Sequence, residues 1–218
     1  MSGSRNKLKA AIAVNALVVV LEVFAMVFGI HRHGLAENFV YYTEWSNLFG
    51  GVACALCLVA EVRMLRGDGS QQLSRALRWT KYASSCCLLM TLFVVTFVLM
   101  PMLNSAGYAG LYLMFVDGAK SITHLGAPLL VTGSYALFEA DRAMTLRQSL
   151  VGFAPTLVYA IVAYACNIAR VWEGPYPFFQ VWDMPVWQSI AWFAALFVLA
   201  FALCQIPRLL SRIGRPIA

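Results

Sequence analysis

The sequence predicts an all-α, polytopic membrane protein: a six-transmembrane-helix bundle with both termini cytoplasmic and no separate soluble domain. Three observations lead there. Of the 218 residues, 61% are hydrophobic and only 12% are charged, too few charges to cover a soluble globule. Apolar runs near the length a helix needs to cross the hydrocarbon core recur along the chain, at about 8–30, 39–64, 77–100, 115–138, 149–168 and 186–203. Thirteen of the sixteen Lys and Arg residues lie before the first span, after the second, after the fourth or after the sixth, leaving Arg32, Lys120 and Arg170 on the opposite side. Because positive loops mark the cytoplasmic face, this asymmetry orients the bundle. The implied localisation is a multi-pass protein of a plasma or inner membrane. The basic residues form no patch with interleaved aromatics, so nucleic acid is not a partner.

The first apolar run is too long for a signal-peptide core and is read as a retained helix. Asn15 and Glu22 interrupt it two turns apart, on one face, with Glu22 expected to face the bundle as a structural hydrogen-bond partner. His31 to Asn38 reads as a short polar connection, and no metal site is expected from its histidines.

The second span opens with FVYYTEWSNLFGG. On a helix Thr43, Ser46, Asn47, Gly50 and Cys54 share one face. Small residues there serve close helix packing, or the gap they leave houses a ligand, with Thr43 or Ser46 as a reactive hydroxyl. Glu44 points away from Thr43, toward the membrane edge. Arg63 to Lys81 reads as a basic loop, and Cys54-x-x-Cys57 lacks the further ligands a zinc site needs. All six cysteines sit in apolar runs, where cysteine behaves as a small hydrophobe.

The fourth span carries DGAKSITHLGAP, in which Asp117, Lys120, Ser121, His124 and Pro128 fall on one helical stripe continued by Thr132 and Tyr135. Ionisable groups at membrane depth are costly and face a bundle interior or a wet cavity. Asp117, two turns from His124, is expected to pair with Lys120 at i, i+3 and not to orient the ring. With the second and fourth spans both starting at the outer face, Thr43 and His124 lie several residues in from that face. Glu139 to Gln148 reads as a charged loop. The fifth span carries Tyr159, Cys166 and Arg170 on one stripe, and the proline-broken aromatic loop VWEGPYPFFQVWDMP that follows is an interfacial belt or a lid.

YYTEWSNL at the outer end of the second span, HLGAP in the fourth and the Tyr176-Pro177-Phe178 loop before the last span together resemble the androgen-induced and androgen-dependent TFPI-regulating protein family. The resemblance covers most of the chain and its number of spans. It implies an integral membrane hydrolase of fatty acid esters of hydroxy fatty acids, with Thr43 as nucleophile, His124 as general base and no cofactor or metal. The acidic Glu44 and the Asp117–Lys120 pair depart from what the resemblance leads one to expect and bear on substrate range.

A threonine hydroxyl needs a base, and neutral His124 within hydrogen-bond reach can take its proton and return one to the leaving alkoxide. The expected oxyanion donor is Asn47, with Ser46 second. Glu44, Asp117, Lys120, Ser121, Arg170 and Tyr176 are candidates for the pocket or its polar network. The substrate is expected to enter from the bilayer into a cavity open sideways, with Phe39, Tyr42 and the Trp172–Trp182 loop as walls. No G-x-S-x-G or H-E-x-x-H motif offers another hydrolase chemistry. Two rivals stand beside this reading: a proton- or ion-coupled carrier or channel using Glu22, Glu44, Asp117, Lys120, His124 and Arg170, and a non-catalytic lipid-binding protein.

Overall fold

The structure, a computed structural model, describes residues 2–68, 72–141, 144–172 and 174–212, and among these every regular element is helical. Arg142 and Arg215, counted in the charge asymmetry, and Glu173 of the aromatic loop lie outside the described residues. Four helices are long and apolar enough to cross a membrane: Arg5–His33, Tyr42–Arg66, Arg75–Ser105 and Val186–Leu210. That is the pattern of a membrane protein.

Helix α1 (Ser2–His33) runs about 48 Å at 1.5 Å per residue. It absorbs His31 to His33, read from the sequence as connection, because three basic side chains in its last turn suit the negative end of the helix dipole. After Gly34 the short α2 (Leu35–Asn38) turns Asn38 inward, where its amide donates to Glu44 at 3.2 Å. Helix α3 (Tyr42–Arg66) stops at Gly67, whose φ of 83° and N–H bonds to the Arg63 and Met64 carbonyls make a left-handed cap.

Helix α4 (Arg75–Val94) starts at Ser74, whose hydroxyl accepts from the Leu77 N–H at 3.3 Å. Its start lies inside the stretch read as a basic loop, and from Lys81 to Thr91 every residue is buried. A helix buried all round is a central one. Helix α3 packs on α1 and α4, and α4 in turn touches the fourth-span helices and α9. Small side chains allow the close approach. A Cβ on Gly50 would stand 2.8 Å from Leu88, and one on Gly51 would stand 3.2 Å from Glu22.

Two π turns follow from proline chemistry. A proline cannot donate to the carbonyl four residues back and its ring crowds that carbonyl. Pro101, in α5 (Met100–Ser105), stands four residues after Phe97, the centre of the π turn Val95–Leu99. Pro128, in α7 (Ala127–Ser134), stands four residues after His124, the centre of the π turn Ile122–Gly126. A third π turn, Tyr135–Glu139, ends this run.

The fourth apolar stretch is therefore not one regular helix. Helix α6 (Gly110–Phe115) gives way to a turn at Gly118, where φ is 65° and a Cβ would meet Phe28 at 2.7 Å; a continuous helical run then extends from Lys120 to Glu139. The single stripe from Asp117 to Pro128 is broken at its first member, and Ser121 is exposed while His124 and Pro128 are buried. Glu139 belongs to the buried end of this run and not to a loop. The fifth stretch is a 3-10 turn (Gln148–Gly152) followed by the fifteen-residue α8 (Ala154–Ile168), and α9 (Val186–Leu210) extends seven residues beyond the expected end at 203. Outward-facing apolar side chains, among them Val23 and Val27 on α1, Val162 on α8 and Ile190 on α9, cover the outside of the bundle.

Candidate active site

Thr43, Ser46, Asn47, Gly50 and Cys54, aligned by helical spacing, are all buried on α3. Thr43 retains 8% exposure. Its backbone carbonyl accepts from the Ser46 hydroxyl at 2.9 Å and from the Asn47 amide at 2.8 Å. The second Asn47 proton goes to the Thr123 carbonyl at 3.2 Å. Asn47 thus stitches the turn that carries Thr43 to the residue preceding His124. With both amide protons held by backbone carbonyls, and the Ser46 proton on the Thr43 carbonyl that Asn47 shares, neither residue has a donor free for an oxyanion; the Asn47 carbonyl oxygen is buried without a partner among the described residues. Ser46 also accepts from the Thr91 hydroxyl at 2.8 Å.

His124 is 6% exposed and sits at the centre of the π turn that Pro128 imposes, a geometry frequent at functional sites. Its Nδ1 lies 2.5 Å from the Met114 carbonyl. A carbonyl only accepts, so Nδ1 carries the proton and Nε2 holds the basic lone pair of the neutral ring. The orienting partner that the sequence does not disclose is therefore a backbone carbonyl on α6. Phe115 stands edge-on to the ring at 6.3 Å. Asp117 does not orient the ring: it accepts from Arg32 at 2.9 Å and lies 3.7 Å from Lys120. Among the described residues no hydrogen bond joins Thr43 to the His124 ring, which does not line the cavity that Thr43 faces.

That cavity holds about 50 Å³ of free space and is walled by Tyr42, Thr43, Thr91, Tyr159, Tyr176 and Phe178 with further apolar side chains. Most of its hydroxyls are occupied. Tyr42 and Thr156 bond each other at 2.6 Å, and Tyr159 donates to the Val40 carbonyl at 2.7 Å. Tyr176 differs. Its phenol is directed at the Thr43 side chain and the backbone of Tyr42 and Thr43. Burial pushes it up to about 12, while those neighbours hold it down, so it remains a protonated donor at neutral pH. The Tyr176 ring is stacked on Phe178 at 5.2 Å and meets Tyr41 edge-on at 6.0 Å.

The loop that bears Tyr176 is fixed by Asn167, whose side-chain oxygen accepts from the Val181 N–H at 2.9 Å and whose carbonyl accepts from the Trp182 indole at 3.0 Å. Of the expected walls, Tyr42 and the Tyr176–Phe179 segment line the cavity, whereas Phe39 packs against Trp45 at 5.1 Å. Arg170 is exposed, with a φ of 55°, and lies over the Trp182 ring at 4.4 Å, so it joins no polar network at the site. Glu44 bonds Asn38 on the α1 side. A second cavity, with about 30 Å³ of free space between α8 and α9, shares Thr156, Ala160, Phe179 and Leu196 with the first.

Sequence reasoning missed a second polar centre. Glu61, Lys81 and Glu139 are 0 to 1% exposed and meet Asn15 among α1, α3, α4 and the last π turn. Lys81 and Glu139 sit at the edges of apolar runs and look like loop residues there. Glu22 faces the bundle as expected, yet neither of its oxygens has a hydrogen-bond partner. Among the described residues no group of three or more His, Cys, Asp and Glu could hold a metal ion.

The chain matches no protein-family model, no curated protein and no solved structure.

Proposed function

We propose that the chain is an intramembrane hydrolase of lipid esters, of the kind exemplified by fatty acid esters of hydroxy fatty acids, with Thr43 as nucleophile and His124 as general base. The observation that carries this reading is the Met114 carbonyl on His124 Nδ1, which leaves Nε2 basic on a segment that Asn47 ties to the turn of Thr43. The Thr43 oxygen attacks the ester carbonyl carbon while its proton passes to Nε2. The carbonyl oxygen becomes an oxyanion that accepts from the Tyr176 phenol, which lies beside the Thr43 side chain on the cavity wall. Collapse breaks the ester C–O bond, and the leaving alkoxide takes the proton from Nε2. Water, deprotonated by the same nitrogen, then hydrolyses the acyl-threonine to the free acid.

The proposal includes six membrane crossings with both termini cytoplasmic in a plasma or inner membrane. Lys120–Glu139 supplies a twenty-residue helical run, and the 3-10 turn before α8 adds about 10 Å to a helix of about 22 Å. The ester enters from the bilayer between α8 and α9, where the two cavities adjoin. Purified protein treated with an active-site-directed serine/threonine hydrolase probe is expected to carry the label on Thr43, and to lose it in Thr43→Ala. A protein that hydrolyses no lipid ester and takes up no label overturns the reading.

A further inference from the structure

We propose that Asn15, Glu61, Lys81 and Glu139 form a proton-binding site inside the bundle, holding one proton on Glu61 while Glu139 is the ionised partner of Lys81. The site is separate from Thr43 and does not depend on its chemistry. It lies toward the end of the bundle where α1 begins and α3 ends. All four side chains are buried to 0 or 1% exposure. The Asn15 amide donates to Glu61 Oε2 at 3.0 Å and to Glu139 Oε1 at 2.6 Å, so the two carboxyl groups flank one nitrogen. Its carbonyl oxygen accepts from the Lys81 ammonium, which fixes which way the amide points. Ser134 donates to Glu139 Oε1 at 3.0 Å, and Lys81 reaches Glu139 Oε2 at 3.7 Å and the Cys54 sulfur at 2.8 Å.

Charge then decides the occupancy. With both carboxyl groups ionised, one ammonium would face two carboxylates and leave a net charge of −1 among α1, α3, α4 and the last π turn. An uncompensated buried ion costs several kcal/mol, and a group in that position takes up a proton instead. Glu139 has three hydrogen-bonded or ion-paired neighbours, the Lys81 cation among them. Glu61 has only the amide at Oε2, and its Oε1 is buried with no partner, so the proton belongs there. The other titratable groups around the site supply no second cation. They are Cys54 and Cys57 on α3 and Tyr135 on the fourth-span run, with Glu22 two turns along α1. Loss of this proton would set like charges on two elements that Asn15 holds together, so occupancy and helix packing are coupled.

The test is infrared spectroscopy of the full chain in bilayers at pH 7. Glu22→Gln/Glu44→Gln serves as background, removing the other two carboxyl groups at the α1–α3 interface. That protein is expected to show a protonated carboxyl C=O band that shifts in D₂O. Adding Glu61→Gln, which keeps shape and hydrogen-bonding capacity, should abolish the band. Absence of the band, or its survival in the Glu61→Gln protein, overturns the proposal. If the Glu61→Gln protein does not fold, carbon NMR of the background protein with labelled Glu side chains decides the matter. One neutral carboxyl at pH 7 is expected, and none refutes the site.

Discussion

Replacing Tyr176 by phenylalanine removes one oxygen and leaves a ring that can still stack on Phe178 at 5.2 Å and meet Tyr41 at 6.0 Å. The fold should scarcely register the change, since a net hydrogen bond contributes about 1 kcal/mol. Catalysis should register it strongly. The phenol lies beside the Thr43 side chain and is buried in the wall of an apolar cavity. Loss of one oxyanion donor lowers kcat about 100- to 1000-fold, or roughly 3 to 4 kcal/mol of transition-state stabilisation, with KM little changed because the ground-state ester carbonyl gains little from the donor. Asn47→Ala supplies the contrast. It deletes two buried bonds to backbone carbonyls and should lower thermal stability by about 2 kcal/mol or more while leaving the donor in place. The assay is steady-state hydrolysis of a lipid ester in detergent micelles beside thermal unfolding of each variant. A Tyr176→Phe enzyme within twofold of the wild-type kcat would refute the oxyanion role, and an Asn47→Ala enzyme with wild-type stability would refute the clamp.

Thr43→Ala and His124→Ala should each abolish hydrolysis, the double mutant should be scarcely worse, and Thr43→Ser should keep part of the rate; additive losses in single-turnover measurements would separate the two residues. Pro128→Ala returns an N–H donor to the His124 carbonyl and should relax the π turn to a regular helix, so activity should fall while thermal stability holds or rises; an unchanged rate would show that the π turn does not aim the ring. The hydrolysis rate should rise with pH until the neutral imidazole of His124, the form able to take a proton, predominates. It should show no alkaline loss from Tyr176 until pH approaches about 12, because burial keeps that phenol protonated. Lys81→Met leaves Glu139 buried without its cation and should destabilise the bundle by about 3 to 5 kcal/mol, measured by denaturant or thermal unfolding.

Helical spacing made the buried face of α3 legible, because α3 is a regular helix and 100° per residue holds along it. The same rule failed between Asp117 and Pro128. A positive φ at Gly118 and a π turn at His124 both reset the phase, and the cause of the second was already visible in the order His124-x-x-x-Pro128. Pro101 stands in the same relation to Phe97, whereas Pro207 lies inside α9 without a π turn. The Met114 carbonyl was not legible. Backbone partners carry no residue-type signature, and this one comes from a helix on the far side of a turn. The buried Glu61–Lys81–Glu139 set is hidden for another reason: charges at the edge of an apolar run read as loop, whereas Lys81 lies inside α4 and Glu139 closes the last π turn.

The arrangement of these charges also weighs on the carrier reading, which needs Glu22, Glu44, Asp117, Lys120, His124 and Arg170 on one route. They do not converge. Asp117 and Lys120 are bound up with Arg32 at a partly exposed corner, and Arg170 lies outside on Trp182. Glu44 is engaged by Asn38, and Glu22 stands in the space that Gly51 leaves on α3. His124, by contrast, is held at Nδ1, and Asn47 ties the residue before it to the turn of Thr43. The buried Glu61–Lys81–Glu139 set is assembled around Asn15 and makes no contact with the histidine among the described hydrogen bonds. His124→Ala should then leave proton uptake at Glu61 untouched while Glu61→Gln leaves ester hydrolysis intact. Cross-effects between the two would show that the polar centres are coupled through α3.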